Sequence, residues 1–296
     1  MTMVPSFPPA AAPMAADAEI IDIHCGWGAS AAAPEWGDAG RLRDALRARN
    51  VGTAFLAADL GRRFDFVEGN AEVADVIARF PELRGWLVLH PARMADANAQ
   101  MRRYLYGERF VGCALYPDPL TGKPVTLRAA LELINMFRRF AKPLLVQADT
   151  AAAMEEVAAI AQEMTGMRVI ASGMGGDDWR EAVDLAVRPL NLYLDISGAL
   201  VPEKIEYAIS SLNGVRKLVF GSGAPRTDPA ALLGLLDDLS LNPDDRARLL
   251  HLNATRLFAL DRGADEETDA LRPMRVPEST EIAADSPGMG LLTPDE

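Results

Sequence analysis

Eight short runs of aliphatic and β-branched residues, each followed by a helical stretch, constrain this chain more than any other feature. They are Ile20–His24, Thr53–Ala57, Gly85–Leu89, Val111–Leu115, Leu144–Gln147, Val169–Ala171, Leu192–Ile196 and Leu218–Gly221. Strands alternating with helices read as βα units around a parallel sheet. Eight of them between residues 20 and 260 match the count and size of an α/β (β/α)8 TIM barrel. Met154, Val157, Ile160 and Met164 recur at helical spacing behind a cap at Asp149 or Thr150. Thr126 precedes a helix over Leu127–Phe140. Pro202, Pro229 and Pro243 stand at first helical positions, the last two behind the caps Asp228 and Asn242. Two closing helices, Pro243–Leu250 and Ala254–Leu260, are expected after the eighth unit.

Composition excludes several classes of function. The hydrophobic fraction of 49% in 296 residues is ample for one large core. A formal charge of −12 supplies no basic face for a phosphate backbone, so nucleic acid is not an expected partner. No run approaches the roughly 20 apolar residues that span a bilayer. Met1–Glu19, rich in Ala and Pro and free of Lys and Arg, reads as a flexible leader rather than a secretory signal. Asp261–Glu296 reads as an acidic tail, disordered or lying along a surface. The two cysteines, Cys25 and Cys113, make no disulfide framework and point to a reducing cytoplasm. Alternation from His24 turns Cys25 away from the barrel interior, as a small core residue.

In this fold, active-site side chains stand at the C-terminal ends of the strands. The first strand reads Ile20-Ile21-Asp22-Ile23-His24-Cys25-Gly26, and side chains two residues apart face the same interior. Further anchors are Phe110-Val111-Gly112, Lys142-Pro143-Leu144-Leu145-Val146, Met174-Gly175-Gly176, Leu194-Asp195-Ile196-Ser197-Gly198, Phe220-Gly221-Ser222 and Asn253-Ala254-Thr255-Arg256-Leu257-Phe258. In order and spacing the set resembles the amidohydrolase superfamily, in the branch that includes decarboxylases and lactonases. The resemblance runs from about Ile20 to Leu260 and implies a metal site built from four strand-end motifs. Strand one of the family ends in Asp-x-His-x-His, and here the second histidine falls on Gly26. The strand-five histidine falls on Gln147, the strand-six histidine on Gly173 and the strand-eight aspartate on Gly223. A catalytic zinc site needs about three protein donors, and His24 alone does not provide them. No metal and no other cofactor is therefore expected, and the loop from Gly173 to Gly176 is read as a strand-to-helix turn rather than a phosphate cradle.

Asp22, His24, Gln147, Asp149, Asp195, Ser222 and Arg226 are expected to face the barrel mouth, with Trp27, Tyr116 and Trp179 as walls. His90 ends the third strand and reaches toward the mouth, while His251 packs in a closing helix. One reading is a barrel that acts by binding, as a small-molecule-binding protein or as a non-catalytic subunit paired with an intact related barrel or with itself. A second is a metal-independent hydrolase or decarboxylase of a small carboxylated compound. His24 beside Asp22 or Asp195 would be its base, and Gln147, Ser222, Arg226, Tyr116 and Trp27 would hold its substrate. A third is a purely structural role.

Overall fold

Each of the eight runs forms a strand in a computed structural model whose described residues are 19–28 and 37–260. The strands are β1 Ile20–Trp27, β2 Val51–Ala58, β3 Leu83–Leu89, β4 Phe110–Leu115, β5 Leu144–Gln147, β6 Val169–Ser172, β7 Leu192–Asp195 and β8 Leu218–Val219. They pair in parallel in chain order, β1 with β2 through to β7 with β8. The seam between first and last strands is closed by Ile23 N–H to the Phe220 carbonyl (3.0 Å), Gly223 N–H to His24 (2.9 Å) and Gly26 N–H to Ala224 (2.6 Å). The fold is thus the expected α/β barrel. The leader and the acidic tail lie outside the described residues, apart from Glu19. Among the described residues no helix is long and apolar enough to cross a membrane.

The helices are α1 Ala39–Arg47, α2 Asp59–Arg63, α3 Phe66–Arg79, α4 Met94–Tyr104, α5 Leu127–Phe137, α6 Ala151–Glu163, α7 Trp179–Val187, α8 Pro202–Ser211, α9 Pro229–Asp238, α10 Pro243–Ala247 and α11 Asn253–Phe258. Their starts follow side-chain chemistry. Thr126, Asp228 and Asn242 accept a backbone N–H of the first turn, as does Thr150, which settles the choice between it and Asp149. Two ends differ from expectation. The helix from Leu127 tightens to a 3-10 turn at Arg138–Phe140 and stops where Ala141 takes φ 55°. The two closing helices are one run, joined by a wide π turn over Arg248–Leu252. Just after that turn, the Asn253 amide donates to the carbonyls of Val215 and Leu218, both at 2.8 Å, and so ties the run to the short β8.

One irregularity positions the site. The register of β1 on β2 shifts between Asp22 and Cys25, which interrupts the ladder at Ile23 and His24. The Ile23 carbonyl instead accepts the indole N–H of Trp86 at 2.6 Å. Trp86 packs edge-to-face with Phe55 and Phe258. An aromatic core thus supports the segment that carries His24.

Candidate ligand site at the barrel mouth

The C-terminal ends of the strands open into a cleft of about 190 Å³, lined by His24, Gly26, Gln147, Gly173, Ser222, Gly223 and Arg226 among others. His24 projects into it from β1. Its Nδ1 lies 2.6 Å from Asp195 Oδ2, 3.1 Å from Ser197 Oγ and 3.2 Å from Ser172 Oγ. Asp195 ends β7, is fully buried and also accepts Ser197 N–H at 2.9 Å and Ser197 O–H at 2.6 Å. With Asp195 accepting the Nδ1 proton, the neutral ring keeps its lone pair on Nε2. Gly221 makes this contact possible: a Cβ there would lie 2.8 Å from His24 Cβ and run into Asp195 Oδ1.

Asp22 has a different task. Its Oδ1 accepts the backbone N–H of His24 at 3.1 Å and of Ser222 at 2.9 Å, and its Oδ2 accepts the Ser222 hydroxyl. It is fully buried, and burial raises its pKa even though these hydrogen bonds oppose the shift. Of the two carboxylates open as partners for His24, Asp195 holds the ring and Asp22 pins β1 to the residues after β8. Cys25 is a buried free thiol whose pKa burial pushes well up, with the Asp22 carboxylate adding to the shift.

A second group of polar side chains crosses the mouth. Arg62, on α2, pairs with Asp59 at 3.2 Å and donates to Gln147 Oε1 at 3.2 Å. The Gln147 amide in turn donates to Asp149. These carboxylates border the space left by glycines: a Cβ on Gly26 would sit 3.5 Å from Asp59 Oδ1, and one on Gly173 would strike Asp149 Oδ1. Gly173 also has φ +95°, a backbone state that side-chain-bearing residues rarely adopt. The Arg62 guanidinium lies 4.3 Å from the centre of the Tyr116 ring. Burial lifts the Tyr116 pKa to about 12 despite the lowering by Arg62, so the hydroxyl keeps its proton. That hydroxyl is buried without a hydrogen-bond partner among the described residues.

The residues named from the sequence divide accordingly. His24, Gln147, Asp149, Ser222 and Arg226 line the cleft; Asp22 and Asp195 lie buried beneath it. Trp27 does not form a wall. It is buried in the core, because alternation from His24 turns it to the other face of β1. Trp179 packs against Tyr207 on α8, 5.5 Å between ring centres, and also stays out of the cleft, and Tyr116 lies buried behind Arg62 rather than in the cleft wall. His90 faces Asp118 at 3.7 Å, and His251 bonds the Glu19 carbonyl at 2.8 Å, so neither joins His24. Asp59 and Arg62 were not foreseen. Their five-residue helix is too short for periodicity to register, and the one available signal is their position directly after β2.

The family model described as Amidohydrolase matches residues 21–260, and the chain belongs to that family. No curated protein matches the sequence. Among solved structures, 2,6-dihydroxybenzoate decarboxylase from Rhizobium is similar with TM-score 0.64 and 15% identity, covering 82% of this chain and 99% of its own. The 5-carboxyvanillate decarboxylase of Sphingomonas paucimobilis is similar with TM-score 0.64 and 13% identity, covering 81% and 99%. Dihydroxybenzoic acid decarboxylase from Polaromonas sp. JS666, solved with bound manganese, has TM-score 0.63 and 16% identity, covering 83% and 98%.

Proposed function

We propose that this amidohydrolase-family barrel binds a small polar molecule at its mouth and does so without a divalent metal. The observation that carries the reading is the occupation of the mouth by Asp59, Arg62, Gln147 and Asp149, bonded to one another beside Gly26 and Gly173. A divalent ion of the kind bound by the Polaromonas enzyme needs several protein donors converging on one point. Among the described residues no three His, Cys, Asp or Glu side chains are so placed. Gly26, Gly173 and Gly223 bring no side-chain donor atom, and His24 Nδ1 and the carboxylate of Asp195 are engaged with each other. These side chains do not fit the ion. What remains suits an organic ligand: the Arg62 and Arg226 cations and the hydroxyls of Ser172, Ser197 and Ser222 line the cleft.

Metal analysis of the purified protein, after incubation with manganese or zinc and desalting, tests the reading. Far less than one ion per chain is expected. One tightly held ion per chain, lost in His24→Ala, would overturn it. An intact related barrel as partner subunit fits the same reading, and isolation from the native source with no such subunit bound would count against that part.

The His24–Asp195 contact favours a second reading, metal-independent proton transfer on a small carboxylated compound. A carboxylate that holds one imidazole nitrogen leaves the other available as a base. Asp195→Asn should then depress turnover and distort its pH profile while leaving ligand affinity nearly intact. Activity that survives His24→Ala undiminished would end this version.

A further inference from the structure

A second cleft, of about 350 Å³, opens at the opposite end of the barrel, where the loops entering β5 and β6 meet. Arg138, Lys142 and Arg168 line it, with Glu163 as its one carboxylate. In a chain with formal charge −12, three cations gathered in one cleft call for a physical account. Structural duties use part of their hydrogen-bonding capacity. Lys142 Nζ donates to the carbonyls of Gly107 at 2.7 Å and Phe110 at 2.6 Å. Arg168 donates to Leu257 at 2.7 Å and Ala141 at 3.2 Å. An ammonium has three donors and a guanidinium five, so both side chains retain N–H groups without an acceptor among the described residues. The Arg138 guanidinium has neither a hydrogen bond nor an ion pair to any described residue, and among the described residues no carboxylate, Glu163 included, lies within ion-pair distance of any of the three.

Backbone carbonyls of Gly107, Phe110, Ala141 and Leu257 hold Lys142 and Arg168 in place, but four acceptors do not match the eight donors of an ammonium and a guanidinium. Burial lowers the Lys142 pKa; the Glu108 carboxylate opposes the shift and the positive charge of Arg84 adds a little to it. We propose that this cleft is a binding site for a phosphate dianion, free or as a phosphomonoester. The Arg138 and Arg168 forks would take its oxygens in bidentate fashion and Lys142 would act as a point charge. The proposal is independent of the reading of the mouth.

The test is calorimetric titration of the full-length protein with inorganic phosphate at constant ionic strength, with chloride as the control. Saturable binding with a Kd in the millimolar range or below is expected. Arg138→Gln, at an exposed side chain without partners among the described residues and therefore near neutral for folding, should weaken binding about tenfold. Arg226→Gln, at the mouth, should leave it unchanged. A simple sugar phosphate that binds more tightly than inorganic phosphate would identify a phosphomonoester as the source, whereas equal or weaker binding would identify the free ion. No saturable heat with phosphate, or full affinity in Arg138→Gln, would overturn the proposal, as would loss of binding in Arg226→Gln. The metal analysis of the mouth is unaffected by any of these results.

Discussion

Replacing Asp22 by Ala should open the barrel along its weakest seam. β8 has two residues, and closure onto β1 relies on three backbone hydrogen bonds together with the Asp22 carboxylate. That carboxylate accepts from His24 N–H, Ser222 N–H and the Ser222 hydroxyl. Each buried donor left without an acceptor costs about 1–3 kcal/mol. Water from the adjacent mouth keeps each loss near the lower end, and removal of a carboxylate that burial itself disfavours gives some free energy back. The net loss is therefore about 2–3 kcal/mol, a large share of the 5–15 kcal/mol typical of folded proteins. Urea unfolding followed by circular dichroism should show a midpoint lower by about 1 M. Hydrogen exchange should accelerate at residues 20–26 and 219–224 before it does elsewhere. An unchanged midpoint with unchanged exchange along that seam would refute the reasoning. Asp22→Asn separates the charge from the hydrogen bonds. Because the folded-state pKa of Asp22 is raised above the unfolded 3.8, its contribution is fully present below that value and is lost as pH rises through the folded value. The deficit of Asp22→Asn relative to the parent should accordingly shrink from acid toward neutral pH.

Gly221→Ala should cost about 1–3 kcal/mol by overpacking, because the new methyl meets His24 Cβ and a buried Asp195 that cannot retreat; a melting temperature equal to the parent's would contradict this. Arg62→Met keeps the aliphatic stem but leaves Asp59, only 14% exposed, without its cation. About 1–2 kcal/mol should be lost in thermal or urea unfolding, and affinity for any acidic ligand of the mouth should fall with it. If the variant binds such a ligand as well as the parent does, Arg62 is a structural clamp and not part of the ligand site.

The barrel was legible in the sequence because its signals are local. A strand declares itself within a few residues by burial and branching, and a helix start by one side chain, as Thr126, Asp228 and Asn242 do. The glycines at 26, 173 and 223 were equally plain, since an absent side chain needs no fold to reveal it. Only the tertiary structure decided which carboxylate serves His24. Asp22 shares its strand and face, but residues two apart along a strand occupy successive layers of the barrel interior, whereas Asp195 on β7 lies level with the imidazole. The crossing from Arg62 to Gln147 spans 85 positions and begins on a helix of five residues, so no periodicity within the sequence announces it. Contacts of that kind come from the closure of the sheet, which brings the ends of distant strands into one small space and sets their charges against each other.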